Sequence, residues 1–280
     1  MRMQIGARLF DGPGPFLMGI VNATPDSFSD GGRFLDPAQA VAQALRLAEE
    51  GADLVDLGGE STRPGAPPVP EGEELRRVVP VVEALRARGF ALPISVDTTK
   101  AAVARAALAA GADLVNDVSG LADPELARVV AEAGAPIVLM HRRGTPADMQ
   151  SRASYRDVVA EVQAELALVL RRAEAAGVDP EHTILDPGLG FAKTPEHNLE
   201  LLARLGELRA LGRPLLVGPS RKSFIGKAAG APVEDRLPGT LAAVTAAVLA
   251  GVEWVRVHDV APARQAARVA AAIRDAARPR

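Results

Sequence analysis

The sequence alternates eight short apolar runs with longer segments in which apolar residues recur at helical spacing. Each run is nearly continuous and often rich in Val, Ile or Leu, which is typical of strands buried on both faces of a parallel sheet. The runs are Phe16–Val21, Ala52–Leu57, Pro93–Val96, Ala112–Val115, Pro136–Met140, Thr183–Leu185, Pro214–Val217 and Trp254–Val257. The segments between them, such as 38–50, 155–176 and 237–250, predict amphipathic helices.

Glycines occur at the predicted ends of the helices. A glycine after a helical segment suits the left-handed residue that ends a helix, and six occupy such positions: Gly51, Gly111, Gly134, Gly177, Gly212 and Gly251. Pro37 and Pro124 each follow an Asp, which predicts two helix starts with an Asp cap. Eight strand–helix units in roughly 250 residues predict a closed (β/α)8 barrel, a TIM barrel, over a doubly wound open sheet, which does not require eight regular units. No compositional break divides residues 1–280, so we expect one domain.

Composition excludes several classes of protein. The chain contains no cysteine, which excludes disulfides and cysteine-ligated metals. No apolar run reaches the ~18 residues that a transmembrane helix needs, and the N-terminal residues lack the apolar segment of a signal peptide. These features predict a cytoplasmic protein without a membrane partner. The net charge of −3 and the lack of a basic block argue against a nucleic-acid partner.

Polar residues follow every apolar run. In barrels of this kind the active site lies at the carboxyl ends of the strands. The residues there are Asn22, 58–63, Asp97, Asn116 with Asp117, His141, Asp186, 220–222, and Arg256 with His258. Long segments without periodicity follow the first two strands, and long loops in a compact domain are usually functional. The carboxyl end of the predicted barrel is therefore the candidate site.

The charges at this end form two groups. The cationic or potentially cationic residues are Arg63, Lys222, Arg256 and His258, and the deeper hydrogen-bonding residues are Asp97, Asn116 and Asp186. Arginine binds phosphate through two parallel hydrogen bonds. A carboxylate can accept two N–H bonds from the edge of a guanidine-like ring. The site therefore suits a substrate with a phosphate tail and a head that is rich in hydrogen-bond donors.

Eight motifs at the strand ends, in order along the chain, resemble the dihydropteroate synthase family of folate biosynthesis. They are MGIVNATPDSFSDGG, DLGGESTRPGA, SVDT, VNDVSG, MHRRGTP, DPGLGFAK, GPSRKSFIG and RVHDV. The resemblance implies a pterin-binding transferase that joins 4-aminobenzoate to 6-hydroxymethyl-7,8-dihydropterin diphosphate, giving 7,8-dihydropteroate and diphosphate. It also implies a homodimer and inhibition by sulfonamides. The small departures, such as Ala192 where the family often has glycine, remove no functional group.

The resemblance implies a role for individual residues. The pterin ring would be bound by Asp97, Asn116, Asp186 and Lys222. The diphosphate would be bound by Asn22, Arg63, Arg256 and His258, with Asn22 also holding Mg²⁺. The aminobenzoate pocket would be formed by Phe28, Thr62, Pro64, Phe191 and Ser223. The residues implied in catalysis are Asn22, Arg63, Asp97, Lys222 and Arg256.

The chemistry expected from these residues needs no strong base. An aryl amine is neutral near pH 7 and can attack directly, while the electron-rich dihydropterin can share the positive charge left on its methylene group. We therefore expect an SN1-like displacement in which diphosphate leaves first. The long loop also carries Asp26 and Asp30, which either reach the metal or form turns.

Other interpretations remain open for several residues and for the function. His141 has either a structural or a functional role, and structural roles are preferred for Asp56, Glu60 and Asp117. One alternative function is a corrinoid-linked, pterin-dependent methyltransferase, which does not need the predicted diphosphate-binding residues. Another is a pterin-binding protein that has lost catalysis.

Overall fold

Eight parallel strands with helices between them surround a central axis in the computed structural model, which describes residues 1–23 and 37–277. The strands are β1 (Arg2–Ile5), β2 (Arg8–Asp11), β3 (Phe16–Asn22), β4 (Leu54–Gly58), β5 (Ile94–Asp97), β6 (Leu114–Asp117), β7 (Ile137–Met140), β8 (Thr183–Asp186), β9 (Leu216–Val217) and β10 (Trp254–Val257). The α-helices are α1 (Pro37–Glu49), α2 (Glu71–Ala87), α3 (Ala101–Ala109), α4 (Pro124–Ala133), α5 (Val158–Ala175), α6 (Pro195–Ala203), α7 (Ser223–Ala229), α8 (Leu237–Leu249) and α9 (Val260–Ala276). Each predicted run overlaps one strand of the barrel, and five of the strands end one or two residues beyond the predicted run.

The strand order confirms the closed barrel. Neighbouring strands pair in parallel in the order β8-β7-β6-β5-β4-β3-β10-β9. A parallel bridge between Leu185 and Leu215 joins β8 to the start of β9 and closes the ring. A doubly wound sheet would leave two open edges, so the alternative prediction is excluded.

The predicted helix ends and helix caps are confirmed where the structure describes them. All six predicted glycines have positive φ, between 63° and 108°. The Asp123 side chain caps α4 by accepting a hydrogen bond from the backbone N–H of Glu125. Asp36, the other predicted cap, lies outside the described residues.

An apolar layer fills the amino-terminal end of the barrel. It consists of residues that point inward near the starts of the strands: Met18, Leu54, Leu114, Val138, Ile184, Leu216 and Trp254. The antiparallel hairpin β1–β2 covers this layer with Met3, Ile5 and Phe10. This hairpin was not predicted from the sequence, because its strands, RMQI and RLFD, mix polar and apolar residues and form no continuous apolar run.

Side-chain alternation turns the other end of the barrel polar. Successive residues of a strand point to opposite faces, so residues two positions beyond an inward apolar residue also point inward. On β4, Asp56 follows Leu54, and on β6, Asn116 follows Leu114; on β10, Arg256 follows Trp254. Within the described ranges, no helix combines the length and apolarity needed to cross a membrane.

Candidate active site

Asp56 is the centre of a buried hydrogen-bond network inside the barrel. Its fully buried carboxylate accepts bonds from Ser95 Oγ at 2.5 Å, Asn116 Nδ2 at 2.9 Å and Arg256 Nε at 2.6 Å. The register explains the arrangement, because Ser95 lies directly beside Asp56 on the neighbouring strand β5. Asp56 therefore orients two of the predicted substrate residues, Asn116 and Arg256. A structural role for Asp56 was expected from the sequence, but its central position was not.

Arg256 also binds Asp97, with Nη2 donating to Oδ2 at 2.8 Å. Burial raises the pKa of Asp97, and the Arg256 guanidinium opposes that rise. The predicted separation of cations from carboxylates is therefore wrong for Arg256. A guanidinium taken out of water needs paired acceptors, and the two carboxylates supply them. Nη1 of Arg256 makes no hydrogen bond with the residues that the structure describes, so one nitrogen remains for an anion.

Asp186 and Lys222 both contact the loop that follows β8. Asp186 is buried, and its Oδ1 accepts a hydrogen bond from Gly188 N at 2.7 Å. Burial raises the pKa of Asp186, while Lys222 opposes that rise. Lys222 Nζ donates to the Leu189 carbonyl and lies 4.6 Å from the centre of the Phe191 ring. Burial lowers the pKa of Lys222 to about 8, so the Lys222 ammonium titrates close to neutral pH.

His258 is oriented by Ser220, whose Oγ is 2.9 Å from His258 Nδ1 and also accepts the His258 backbone N–H at 3.2 Å. Burial lowers the pKa of His258 to about 4, and Arg256 adds to the effect. The ring is therefore neutral near pH 7 without a bound anion. An anion beside it would favour the charged form.

The remaining predicted residues lie on the rim at the same end. Asn22 ends β3 beside Gly58 of β4 and is half-buried. Thr62 is half-buried, while Arg63, Pro64 and Ser223 are exposed. Phe28, Asp26 and Asp30 lie outside the described residues.

The loop after β4 is anchored by a charged cluster. Lys100 Nζ donates to Glu60 and to the fully buried Glu74, and Glu60 Oε1 accepts the Val69 backbone N–H at 3.1 Å. The loop also donates its Gly65 N–H to the Pro146 carbonyl at 2.9 Å. These contacts fix both ends of the segment that carries Thr62, Arg63 and Pro64. Lys100 was missed by the sequence analysis, because only the fold brings it to Glu60.

Three basic or imidazole groups at the ends of β7 and β8 extend the site. His141 and Lys193 are buried and hydrogen-bonded to each other, with Lys193 Nζ 2.9 Å from His141 Nδ1. Arg142 has a buried Nε without a partner among the described residues. Burial lowers the pKa of Arg142, and the negative charges of Asp117 and Asp97 oppose this shift. Asp117 itself accepts three bonds from Ser119 and Leu121, so it shapes the turn after β6.

Both the sequence and the fold resemble those of known proteins. The sequence model of the family described as pterin binding enzyme matches residues 18–258. A dihydropteroate synthase of Synechocystis sp. is 50% identical over 97% of this chain and 94% of its own length. The Xanthomonas albilineans dihydropteroate synthase structure with 4-aminobenzoic acid has a TM-score of 0.91 at 49% identity and 99% coverage of both chains. The same enzyme with 7,8-dihydropteroate gives 0.89 at 46% identity, with both chains covered completely. The chain therefore belongs to the pterin binding enzyme family and, within it, to the dihydropteroate synthases.

Proposed function

We propose that this chain condenses 6-hydroxymethyl-7,8-dihydropterin diphosphate with 4-aminobenzoate to give 7,8-dihydropteroate and diphosphate. The observation that carries the proposal is the network in which Asp56 orients Asn116 and Arg256, and Arg256 reaches Asp97. It provides carboxylate and amide groups for a pterin ring beside a guanidinium nitrogen for phosphate. The bound 4-aminobenzoic acid and 7,8-dihydropteroate in the Xanthomonas structures support the same substrate and product here.

The pterin ring would lie deep in the barrel mouth. Asp97, Asn116 and Asp186 present hydrogen-bonding groups there, and Lys222 approaches from the loop side. A donor-rich ring edge matches carboxylate acceptors. Buried polar groups reject an analogue that leaves them unpaired, so this pocket would select for the pterin ring.

The diphosphate would lie nearer the rim, with Arg63 and Arg256 as its cationic ligands and Asn22 and His258 as further ligands. Nη1 of Arg256 can bind a phosphate oxygen while Nε and Nη2 keep their carboxylates. His258 would gain a proton as the anion arrives, because its neutral form results from burial and the nearby cations. Both changes stabilise negative charge on the leaving group.

The aminobenzoate would lie between Thr62 and Pro64 on the loop after β4, Phe191 on the loop after β8 and Ser223 at the start of α7, with Phe28 included in the proposal. The methylene–oxygen bond breaks and its electron pair leaves with diphosphate. The aryl amine then forms the carbon–nitrogen bond and releases a proton to solvent. Asp186 would favour the positive charge on the pterin, as in the SN1-like order.

Magnesium is part of this proposal, with Asn22 as its protein ligand. Mg²⁺ commonly uses one or two protein oxygens, several waters and substrate phosphates. Asn22 offers such an oxygen at the end of β3, and the described ranges hold no cluster of three or more His, Asp or Glu suited to a metal. The donor set therefore fits an ion held mainly by diphosphate. When bound, the ion would supply charge neutralisation for the leaving group.

The direct test is diphosphate release from the pterin substrate, with and without 4-aminobenzoate and with and without Mg²⁺. Aminobenzoate-dependent release with formation of dihydropteroate supports the proposal. Pterin binding without turnover would favour the non-catalytic alternative, and methyl transfer would favour the corrinoid-linked one. Positional isotope exchange in labelled pterin diphosphate without aminobenzoate tests the SN1-like order. No exchange in a competent complex would refute that order.

A cytoplasmic homodimer that acts on small molecules completes the proposal. The family resemblance supports the dimer, and the absence of cysteine agrees with a reducing compartment. Light scattering of the purified chain and fractionation of the source cells test the two statements. A monomer at assay concentration would refute the first, and recovery outside the cytoplasm would refute the second.

A further inference from the structure

Lys193 is a buried lysine at the end of the loop between β8 and α6. Only 3% of the residue is exposed. Its Nζ contacts His141 Nδ1 at 2.9 Å and the Phe191 carbonyl oxygen at 3.0 Å. It thereby joins the end of β7 to a loop that carries a residue of the proposed aminobenzoate pocket.

The hydrogen bonds of His141 have one direction. The Glu165 carboxylate can only accept, so the neutral His141 ring carries its proton on Nε2 and accepts from Lys193 at Nδ1. Nε2 then donates to Glu165 Oε2 on α5, 2.9 Å away. Burial lowers the pKa of His141 to about 4, with Lys193 adding to the effect, so the ring is neutral near pH 7. Arg143 holds Glu165 in place, with Nε 3.0 Å from Oε1.

The other contact of Lys193 reaches the substrate side of the loop. The Phe191 carbonyl accepts a hydrogen bond from Lys193 Nζ, and the Phe191 ring centre lies 4.6 Å from Lys222 Nζ. Tyr155 donates its hydroxyl to the Ala192 carbonyl at 3.0 Å, and Ala192 has the left-handed φ of 49°. This backbone is held by its neighbours, because an alanine rarely adopts such a conformation without them.

We propose that Lys193 is a positioning residue of the aminobenzoate pocket: by bridging His141 Nδ1 and the Phe191 carbonyl, it holds the Phe191 ring beside Lys222. The proposal rests on the proposed function, which supplies the substrate. Lys193 would not touch the substrate itself. Its loss would weaken aminobenzoate binding through Phe191, while the pterin residues on β5 and β6 keep their contacts.

The charges around Lys193 show which property of the side chain matters. Burial lowers its pKa to about 7; Asp186 and Glu165 oppose this, and Lys222 and Arg143 reinforce it. A neutral amine still has two N–H groups, one for each acceptor. Both hydrogen bonds therefore survive deprotonation, and the KM for 4-aminobenzoate should change less than twofold between pH 6.5 and 8.5 on account of Lys193.

The test compares Lys193→Met with two substitutions of His141. Asn at position 141 can place an amide oxygen near the Nδ1 position, whereas Gln places its amide near the Nε2 position and removes the acceptor from Lys193. We expect Lys193→Met and His141→Gln to raise the KM for 4-aminobenzoate about tenfold, the loss of a hydrogen bond that holds the pocket. The KM for the pterin diphosphate should stay within twofold, and His141→Asn should remain close to wild type. The exposed Lys227→Met on α7 is the matched lysine control.

Several outcomes would overturn the proposal. Equal values for His141→Asn and His141→Gln, or equal increases in both KM values, would mean that the contact does not position Phe191. A shift in the pH profile of kcat/KM for Lys193→Met with an unchanged aminobenzoate KM would instead assign Lys193 an electrostatic role on Asp186. If Lys193→Met does not fold, the His141 pair measures the same contact. Failure of the proposed function is distinct, because the wild-type protein would then not turn over.

Discussion

Replacing Asp56 tests whether the network inside the barrel both stabilises the fold and orients the substrate residues. Asp56→Asn keeps the shape of the side chain but removes its charge. The Asn oxygen can still accept from Asn116 and Arg256, and Ser95 can rotate its hydroxyl to accept from the new amide. Asp56→Ala removes all three acceptor contacts and leaves a cavity.

The size of each effect follows from the contacts that are lost. Asp56→Asn weakens one charge-assisted bond to Arg256, which keeps Asp97 at 2.8 Å, so the free energy of unfolding should fall by about 1.5–3 kcal/mol. Asp56→Ala also leaves Asn116 and Ser95 without an acceptor, so the loss should reach about 3–5 kcal/mol. Both variants should raise the KM for pterin diphosphate, with Ala the larger effect.

Urea denaturation followed by tryptophan fluorescence measures the stability change. Trp254 is the single tryptophan, is fully buried, and contacts the Phe10 ring at a centroid distance of 4.8 Å. Its emission therefore reports loss of the barrel interior. Steady-state kinetics on the same preparations measures KM for each substrate.

The control is Glu50→Gln, which breaks a more exposed ion pair with Arg46 at 3.6 Å. Such pairs contribute about 0–1 kcal/mol. If Asp56→Ala costs no more than this control, the network does not stabilise the fold as argued. An unchanged KM for pterin diphosphate in both Asp56 variants would refute the orienting role.

Three further predictions concern other parts of the barrel. Burial lowers the pKa of His141 to about 4, so the unfolded chain takes up a proton below about pH 6.5 while the folded protein does not. Stability is therefore lost as the pH falls from 6.5 to 4, and in urea titrations at several pH values the wild type should lose up to about 3 kcal/mol relative to His141→Asn. Phe10→Ala opens the base of the barrel and should lower the free energy of unfolding by about 3–5 kcal/mol with both KM values unchanged; a changed KM would contradict this separation of the two ends. Lys100→Met releases Glu60 and should raise the KM for 4-aminobenzoate several-fold in steady-state assays, and an unchanged value would show that the loop needs no such anchor.

The strands and the end of the barrel that carries the site could be predicted because both depend on local patterns. An apolar run such as 254–257 predicts a buried strand without knowledge of its neighbours. Polar residues directly after each run then fall at one end by the geometry of parallel strands. The chemical types at those positions carried the family resemblance.

The pairing between side chains could not be predicted, because it depends on distances across the barrel. Asp56 and Arg256 are 200 residues apart in sequence, and their side chains meet at 2.6 Å because β4 and β10 both pair with β3. Lys193 and His141 are separated by 52 residues and meet through the adjacent strands β8 and β7. The sequence shows that lysine is rare in this chain, so that Lys193 is an unusual residue, but it does not show which acceptor its side chain meets.

The barrel closes with its fewest backbone hydrogen bonds between β8 and β9, where a single bridge joins Leu185 to Leu215. The loops that follow these two strands carry Phe191 and Lys222, the two residues that meet beside the proposed aminobenzoate pocket. The barrel wall beneath that pocket is therefore held by one bridge at this point and not by a continuous ladder of backbone hydrogen bonds. Local opening needs least free energy where few backbone hydrogen bonds must break, so fluctuations between β8 and β9 would separate the two loops that follow them. Access of 4-aminobenzoate would then depend on the stability of the pairing between β8 and β9. Apolar substitutions beneath the two loops would alter aminobenzoate binding without contacting the ligand.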